Sequence, residues 1–264
     1  HLQGALNKKS LMFKNAIVRE PCPEISNGLS SASLGKHDFQ NALEQHRIYV
    51  DALRCCDMEV KVLEADSRFP DSVFVEDVAL CTTKCAIVTN PGAPSRNREK
   101  LDMKPVLESF YSRVETIESP GTLDGGDVMM VGKHFYIGLS QRTNARGATQ
   151  LIRVLESCGM SGSTVPLYEM LHLKSGLSYL EQNHLLVTGE FINHPDFDGF
   201  QKIEVDPDEA YAANSLWINS KVLVPSGFPK TLEKIEQAGY PTITLDVSEF
   251  RKLDGGLSCL SLRF

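Results

Sequence analysis

The sequence predicts an α/β fold in which about five strand-turn-strand-helix-strand units close radially around an axis. Two observations predict this fold class: a gapless internal repeat and the spacing of its turns. Four stretches have the pattern of strand, polar turn and strand: VALCTTKCAIV from Val78, VMMVGKHFYIG from Val128, SYLEQNHLLVT from Ser178 and SLWINSKVLVP from Ser215. The turn residues recur after 50, 50 and 37 residues, a period typical of supersecondary repeats: Lys84, His134, His184 and Lys221.

Helical periodicity appears between the hairpins. Apolar residues at i, i+3, i+4 and i+7 predict three helices: an early one through Phe39, Ala42, Leu43, His46, Val50 and Leu53, a second through Ala148, Leu151, Ile152 and Leu155, and a looser third through Leu232, Ile235 and Ala238. Gly159 and Gly239 follow the second and the third. A left-handed glycine is a common helix stop, so these two positions are expected to end their helices.

The ends of the chain are expected to complete the repeat. A unit of this kind cannot bury its own sheet alone, so the units must pack on one another. The AIVREP segment and the C-terminal LSCLSL segment supply strands for a fifth unit. No low-complexity stretch resembles a linker, so residues 1–264 are predicted to form one domain. An ordinary mixed α/β sheet is the alternative that this pattern alone leaves open.

Composition argues against several classes of function. With 42% hydrophobic and 23% charged residues among 264, the chain is expected to be globular. The net charge of -7 argues against a nucleic-acid surface, and no apolar run reaches the roughly 18 residues that cross a membrane. The first stretch, HLQGALNKKSLMFKNAI, lacks the apolar core of a signal peptide. Seven cysteines without framework spacing indicate a reducing compartment. From the missing targeting signals we expect a cytoplasmic protein.

Chemically informative side chains come just before the predicted hairpins. They are Asp71, Glu76, Asp77, Asp124, Asp127, His172, Asn214 and Cys259. In a radial array equivalent strand starts point to one centre, so four of these residues are expected to converge: Asp77, Asp124, His172 and Cys259. Their separations of 47, 48 and 87 residues are about one, one and two repeats. The sequence therefore predicts a single site at the axis.

A cysteine beside a histidine is a nucleophile pair. A free thiol has a pKa of about 8.5, and a neighbouring imidazolium lowers that value into the working range. We therefore predict that Cys259 is a nucleophile, that His172 is its acid/base partner, and that Asp124 orients the imidazole. The other six cysteines are interpreted as inert thiols: Cys22, Cys55, Cys56, Cys81, Cys85 and Cys158.

Acids and arginines near these positions favour a cationic ligand that also carries a carboxylate. Glu76 and Asp77 adjoin within the apolar run VFVEDVAL, where strand alternation points one carboxylate inward. A cationic ligand can pair with it, and a solvated strand end is the alternative. Arg96 and Arg142 follow successive hairpins and can clamp a carboxylate. Two neighbouring cations are equally eligible by position: Arg98 and Arg146.

The double glycines of LDGGD and LDGGL do not match a nucleotide-binding loop. They lack both the Lys-Ser/Thr pair of a P-loop and the spacing of a dinucleotide fingerprint. We interpret them as letting the backbone approach a small ligand closely. Structural zinc is not expected, because the sequence has neither CxxC nor HExxH. Adventitious zinc on Cys259 and His172 would inhibit.

Six motifs occur in order along the chain: FPDSVFVEDVAL, TNPGAPSRNRE, LDGGDV, GLSQRTNARG, LHLKSGLSYL and LDGGLSCLSL. Together they resemble the dimethylarginine dimethylaminohydrolase family of the guanidino-modifying superfamily, from about Phe13 to the end of the chain. The resemblance implies a pseudo-fivefold α/β propeller, the pentein fold. It also implies hydrolysis of Nω-methylated arginines to citrulline and di- or monomethylamine through a covalent cysteine thiouronium intermediate, without a cofactor. The implied partner is this small-molecule substrate, and the chain is expected to be a monomer or a homodimer.

The resemblance also assigns roles to residues. It implies that the nucleophile is Cys259, that the acid/base histidine is His172, and that the orienting acid is Asp124, where parts of the superfamily carry Glu. The substrate-binding positions it implies are Asp77 and Asp254 at the guanidinium with Glu76 beside them, Arg96 and Arg142 at the carboxylate, and Asp71 with the backbone carbonyls of Leu29 and Leu253 at the α-amino group. Leu29 lies in SNGLSS, which the family uses as a mobile lid.

Other functions stay open at this point. An arginine deiminase or an amidinotransferase shares the propeller and the Cys-His pair, although the first usually carries an added helical domain and the second longer loops. A catalytically silent propeller that binds methylarginine or a protein is the alternative from another class. The rate at which Cys259 is alkylated would separate the silent alternative from an enzyme, because an unactivated thiol reacts slowly.

Overall fold

The computed structural model describes residues 12–264. Residues 1–11, which make up much of the stretch without a signal-peptide core, therefore lie outside the described residues. The strands are β1 (Asn15–Arg19), β2 (Glu59–Leu63), β3 (Ala79–Cys81), β4 (Ala86–Val88), β5 (Val114–Thr116), β6 (Val128–Val131), β7 (His134–Leu139), β8 (Ser161–Pro166), β9 (Leu177–Tyr179), β10 (His184–Val187), β11 (Gln201–Glu204), β12 (Leu216–Ile218), β13 (Lys221–Pro225), β14 (Thr242–Leu245) and β15 (Leu262–Arg263). The α-helices are α1 (Phe39–Cys55), α2 (Lys100–Glu108), α3 (Ala145–Ser157), α4 (Leu173–Gly176), α5 (Pro229–Gln237) and α6 (Ser248–Arg251).

Four of the five three-stranded sheets follow one plan. In each, two antiparallel strands form a hairpin and a third strand pairs in parallel with the second, as in β3-β4-β5. The same order recurs in β6-β7-β8, β9-β10-β11 and β12-β13-β14. The parallel third strand requires a crossover, and the intervening helices and loops supply it. All four hairpins predicted from the repeat are therefore confirmed.

The fifth sheet joins the two ends of the described chain. Strand β1 pairs antiparallel with β15, with Ile17 opposite Leu262, and pairs in parallel with β2. Its order, β15-β1-β2, repeats the plan of the other four sheets. The first strands of the units adjoin one another, since β15 contacts β3, β6 contacts β9, and β9 contacts β12. The fold is thus a pseudo-fivefold α/β propeller, and its ring is completed by segments from both ends.

The predicted helices are confirmed by their caps and buried faces. Helix α1 begins after Asp38, whose side chain accepts the N–H of Asn41, and it buries Ala42, Val50 and Leu53 among its core residues. A side-chain cap of this kind stabilises a helix by about 1 kcal/mol. Asn144 caps α3 in the same way through the N–H of Gly147. Glycines with φ of 73° and 94° follow α3 and α5, as predicted for Gly159 and Gly239.

The start of each inner strand carries one of the polar residues selected from the sequence. Asp77 comes before β3, Asp124 before β6, His172 before β9, Asn214 before β12, and Cys259 before β15. Because equivalent strand starts lie at one end of the axis, the propeller brings residues from five sequence regions to the same place. Between residues 12 and 264 the structure contains no helix long and apolar enough to cross a membrane.

Candidate active site

The predicted convergence of the polar residues is confirmed by the geometry. Donor atoms of Asp77, Asp124 and His172 all lie within 4.8 Å of one another. Cys259 lines the same cavity as Asp77 and His172, and this cavity has a volume of about 240 Å³. The cavity is also lined by Leu29, Asp71, Arg96, Arg142, Leu253 and Asp254. Nine of the eleven predicted site residues therefore line one pocket, and Asp124 lies directly behind it.

His172 is fixed by a buried carboxylate. Its Nε2 lies 2.9 Å from Oδ2 of Asp124, which has no solvent exposure. The second oxygen of Asp124 accepts the N–H of Gly92 at 2.8 Å. Burial by itself would lower the pKa of His172, but the charge of Asp77 and the hydrogen bond to Asp124 outweigh it and raise the pKa to about 9. The imidazole is therefore protonated at neutral pH and can donate a proton from Nδ1.

Cys259 lies in a 3-10 turn, Ser258–Leu260, immediately before β15. The N–H of Gly256 points at its sulfur, 3.4 Å away, and Tyr49 of α1 anchors the segment through the carbonyl of Leu257 at 2.9 Å. Burial, followed by the charges of Glu76 and Asp77, raises the pKa of the Cys259 thiol to about 12. The expectation of a lowered pKa is thus wrong for the ligand-free protein. The carboxylates that suit a cationic ligand disfavour a thiolate when that ligand is absent.

Glu76 and Asp77 lie in a 3-10 turn, Val75–Val78, and not in a strand. The alternation argument is therefore wrong, and both carboxylates are buried. Asp77 accepts the N–H of Gly126 at 3.0 Å and faces the pocket. Glu76 instead lines a separate cavity of about 140 Å³ and receives hydrogen bonds from three side chains: Lys174, Ser258 and Arg263. Its predicted place beside the ligand is thus corrected to a place behind Cys259.

The two arginines predicted to bind a carboxylate differ in burial and in their hydrogen-bond partners. Arg96 is only 4% exposed, and its guanidinium contacts Asp77 at 2.5 Å and Glu99 at 2.7 Å. It also donates to the backbone carbonyl of Phe74 at 3.0 Å, so its donors are largely used within the protein. The half-buried Arg142 lines the same cavity and forms no ion pair with any residue between 12 and 264. The structure therefore leaves Arg142, not Arg96, with a free guanidinium at the pocket.

The equally eligible cations are separated by their positions. Arg98 and Arg146 are exposed and do not line the cavity. Sequence position alone did not distinguish them from Arg96 and Arg142. Arg96 and Arg98 lie two positions apart in the 3-10 turn Pro94–Glu99, so their side chains point in different directions. Arg142 precedes α3, whereas Arg146 lies in its first turn.

The mouth of the pocket is formed by a segment that two acids hold in place. Both oxygens of Asp71 accept the N–H of Leu29, at 3.0 and 3.2 Å. Asp254 accepts the N–H of Ser31 at 2.5 Å and its hydroxyl at 3.0 Å. Ser30 donates to the carbonyl of Lys252 at 2.7 Å. The acids predicted for the α-amino and guanidinium groups of a ligand thus hold the lid segment in the ligand-free protein.

The double glycines serve contacts within the protein. A Cβ on Gly126 would lie 2.9 Å from Nδ1 of His172 and 3.0 Å from Oδ1 of Asp77. A Cβ on Gly255 would lie 2.2 Å from the ring of Phe74. Gly255 also lines the pocket, so the interpretation that the glycines let the backbone approach a ligand stays a prediction. They allow the segments that carry the site residues to approach one another.

Two residues that support the site were not predicted to belong to it. Asn214 accepts the N–H of Ser258 at 3.0 Å and donates to its hydroxyl at 2.9 Å, so it holds the turn that carries Cys259. The position of Asn214 in the repeat could have indicated this role, because Asn214 comes just before the fourth inner strand. Glu99 is the buried partner of Arg96, and its spacing of three residues within SRNRE was the corresponding signal.

The groups that come close enough to share a metal ion are Asp77, Asp124 and His172, among residues 12–264. Cys259 does not belong to this cluster. Oδ2 of Asp77 already pairs with Arg96, whose positive charge opposes a metal ion at that oxygen. The expectation of inhibitory zinc on Cys259 and His172 stays a prediction.

Comparison with known proteins identifies the family. The family model described as "N,N dimethylarginine dimethylhydrolase, eukaryotic" matches residues 28–193. The N(G),N(G)-dimethylarginine dimethylaminohydrolase of Pseudomonas aeruginosa is 54% identical over 254 residues, which cover 96% of this chain and 100% of that protein. Its cysteine-to-serine variant in complex with citrulline has a TM-score of 0.95 at 53% identity, again covering 96% and 100% of the two chains. A dimethylarginine dimethylaminohydrolase with a histidine-to-glycine change, solved as an adduct with S-methyl-L-thiocitrulline, has a TM-score of 0.94 at 54% identity with the same coverage. The chain therefore belongs to the dimethylarginine dimethylaminohydrolase family, and it is a hydrolase of that class.

Proposed function

We propose that this protein hydrolyses asymmetric dimethylarginine and monomethylarginine to citrulline and di- or monomethylamine, with Cys259 as the nucleophile. The observation that carries the proposal is the meeting of Cys259, the His172-Asp124 pair and Asp77 at one cavity. The relatives bound to citrulline and to S-methyl-L-thiocitrulline support the same class of ligand. A thiol, a protonated imidazole and a buried carboxylate are the groups that cleavage of a guanidinium C–N bond requires.

The polarity of the cavity supports one orientation of the substrate. Arg142 is the cation that is free to take the α-carboxylate. Asp71 and the backbone carbonyls of Leu29 and Leu253 accept from the α-ammonium group. The guanidinium then extends towards Asp77 at the inner end, where its central carbon meets the sulfur of Cys259. Asp254 contacts the guanidinium after it exchanges its hydrogen bonds with the lid.

Charge compensation links substrate binding to formation of the nucleophile. In the free site the carboxylates of Glu76 and Asp77 add to burial and hold the pKa of Cys259 high, at about 12. A guanidinium beside Asp77 offsets these charges and favours the thiolate. The thiol proton passes to solvent as the cation enters. The nucleophile therefore forms when its target is in place, and stays neutral in the empty site.

The chemical steps then follow from the positions of His172 and Cys259. The thiolate attacks the guanidinium carbon and a C–S bond forms. His172 donates its proton to the departing methylamine, the C–N bond breaks, and a covalent thiouronium remains. The neutral imidazole next takes a proton from a water molecule that attacks the same carbon. The C–S bond breaks, citrulline is released, and the thiolate is restored.

We also propose that residues 1–264 form a single domain and that Glu76 and Arg96 act indirectly. The pairing of β1 with β15 supports the first point, because it places the first and the last described strands in one sheet. Glu76 supports the site by positioning Ser258 and by its charge near Cys259. Arg96 supports it by holding Asp77.

Product formation tests the proposal directly. Purified protein is incubated with asymmetric dimethylarginine, monomethylarginine or unmodified arginine, and the ureido product and the released amine are both measured. We expect turnover of the methylated substrates, and a loss of about 10,000-fold or more in the Cys259→Ser variant. The matched control is Cys55→Ser, which changes an exposed cysteine and keeps full activity. Turnover of arginine alone would identify a deiminase, and near-normal turnover by Cys259→Ser would refute the nucleophile.

A further inference from the structure

Two of the cysteines that the sequence presented as inert lie side by side in the fold. The sulfurs of Cys85 and Cys158 are 3.3 Å apart, although the residues are 73 positions apart in the chain. Cys85 comes just before β4 in the hairpin of one unit, and Cys158 follows the last residue of α3 in the next unit. A disulfide has an S–S length of about 2.05 Å, so the sulfurs need to approach by little more than about 1 Å.

The surroundings of the pair are asymmetric. Cys85 has no solvent exposure, whereas Cys158 is half-buried and reachable from the surface. The guanidinium of Arg113 lies 3.3 Å from the sulfur of Cys158 and also bonds Glu115 at 2.7 Å and Ser157 at 2.8 Å. Its positive charge can stabilise negative charge that develops on the Cys158 sulfur during a reaction. The accessible member of the pair is therefore also the one beside a cation.

Cys85, in contrast, is a buried and neutral thiol. Burial, followed by the contact with Cys158, raises the pKa of Cys85 to about 11, so it is a neutral thiol at physiological pH. Its sulfur also lies 3.7 Å from the hydroxyl of Thr82, inside the same hairpin turn. An oxidant in solution therefore reaches Cys158 first, and Cys85 is placed to react with whatever forms on the Cys158 sulfur.

We propose that Cys85 and Cys158 form a reversible intramolecular disulfide when the protein meets a peroxide. The Cys158 sulfur attacks the peroxide oxygen, the O–O bond breaks, and a sulfenic acid and water result. The Cys85 sulfur then attacks the sulfenic sulfur, an S–S bond forms, and hydroxide leaves with the proton of Cys85 as a second water. In total two thiols and one hydrogen peroxide become one disulfide and two waters. A thiol reductant reverses the change.

The link would join two neighbouring units of the propeller. It would tie the β3-β4 turn to the end of α3 and close a long loop, which restricts the unfolded chain. Neither cysteine lines the cavity of Cys259, and the inference does not depend on the proposed function. We therefore expect the disulfide to raise the thermal midpoint and to leave the geometry of the pocket unchanged.

Peptide mapping tests the proposal on the full chain. The protein is exposed to an equimolar amount of hydrogen peroxide, remaining thiols are alkylated, and a tryptic digest is analysed without reduction. Cleavage after Lys84 and Arg153 places Cys85 and Cys158 on separate peptides that each contain a single cysteine. We expect one peptide pair joined at these residues, which reduction separates, and a thermal midpoint about 5 °C or more higher.

Two variants make the result specific. Cys158→Ser removes the half-buried member with little change in volume, and it should abolish both the linked peptides and the rise in midpoint. Cys55→Ser, at an exposed cysteine, should behave as the unmodified protein does. Recovery of Cys85 and Cys158 as alkylated thiols, or of Cys158 as an unlinked sulfinic acid, would overturn the proposal. A linked pair without a higher midpoint would overturn the stabilising role.

Discussion

The inner wall of the pocket and its outer rim are built in opposite ways. The inner wall consists of Asp77, Arg96 and His172, which line the pocket, together with Glu99 and Asp124 behind them; all are buried or half-buried and joined by short hydrogen bonds. The outer rim consists of Leu29, Ser30, Ser31 and Asp254, which keep much of their surface exposed. Only a few hydrogen bonds hold the rim, and those to Asp71 and Asp254 use acids that we also propose as substrate-binding groups.

This difference separates the part of the pocket assigned to the chemical step from the part that a substrate passes on entry. The inner wall is fixed before a ligand arrives, so it costs little to organise during the reaction. Under the proposed function, the outer rim releases these hydrogen bonds when the substrate enters. Changes in the wall should therefore reduce the chemical step or the stability of the fold, whereas changes in the rim should mainly alter the apparent affinity.

The largest effect in the wall is expected from His172→Ala. Without an acid to protonate the leaving amine, kcat should fall by about 100- to 10,000-fold, with a much smaller change in KM. Steady-state kinetics with asymmetric dimethylarginine measure both constants. The control His134→Ala removes an imidazole from the first residue of β7, outside the pocket, and should keep kcat within about twofold of the unmodified protein. Equal losses in the two variants would contradict the assigned role.

The pH dependence of Cys259 alkylation tests the charge balance of the empty wall. Burial and the charges of Glu76 and Asp77 raise the pKa of this thiol to about 12, so little thiolate exists at pH 7. Below that pKa the thiolate fraction, and with it the alkylation rate, should rise about tenfold for each pH unit. Iodoacetamide labelling between pH 7 and 10, followed by mass spectrometry of the C-terminal peptide, measures the rate. A plateau reached near pH 8 would show that the free thiol is already activated.

Alanine variants of Arg96 and Arg142 compare a residue of the inner wall with a residue of the open part of the pocket. Arg96→Ala leaves Asp77 and Glu99 buried without their partner, so it should destabilise the fold by about 3–5 kcal/mol. Arg142→Ala should leave stability unchanged and raise KM by about 10- to 100-fold, because it removes charge-assisted hydrogen bonds of about 1.5–3 kcal/mol. Denaturant unfolding and steady-state kinetics separate the two results.

Arg146→Ala is the matched control for both variants, since this exposed arginine lies outside the pocket. It should change neither the unfolding free energy nor KM. An increase in KM for Arg96→Ala at full stability, with no effect of Arg142→Ala, would reverse the assignment and restore Arg96 as the carboxylate clamp.

The smallest effect is expected at the rim. Ser31→Ala removes the hydroxyl that donates to Asp254 and keeps the backbone hydrogen bond. Loss of one exposed hydrogen bond should change KM by about two- to fivefold, with kcat within the same range. Ser33→Ala, an exposed change in the same segment, should have no effect. A loss of kcat of about 100-fold in Ser31→Ala would show that the rim takes part in the chemical step.

Local patterns made much of the architecture predictable. Alternating strand residues and polar turns identified all four hairpins, and glycine stops marked the ends of two helices. The spacing of the repeat by itself predicted that four residues lie close together: Asp77, Asp124, His172 and Cys259. The family motifs then indicated Leu29 and Leu253, which line the pocket and whose expected backbone contacts with a substrate would leave no side-chain signature.

The direction of individual side chains and the charges around them were harder to predict from the sequence. The run VFVEDVAL has strand composition, yet it turns at Val75–Val78 and sends Glu76 and Asp77 to different cavities. The raised pKa of Cys85, to about 11, likewise reflects burial and a contact with Cys158 from a distant part of the chain. Neither property is visible in a local window of residues.

The sequence by itself determined the repeat, the order of the units and the residue types at the start of each inner strand, because these depend on neighbours a few positions away. Only the tertiary structure decided that Arg96 is held inside the wall while Arg142 stays free, that the double glycines lie against other segments of the site, and that Cys85 lies beside Cys158. The physical reason is that burial, hydrogen-bond pairing and the pKa of a thiol depend on groups that the fold brings together from distant parts of the chain.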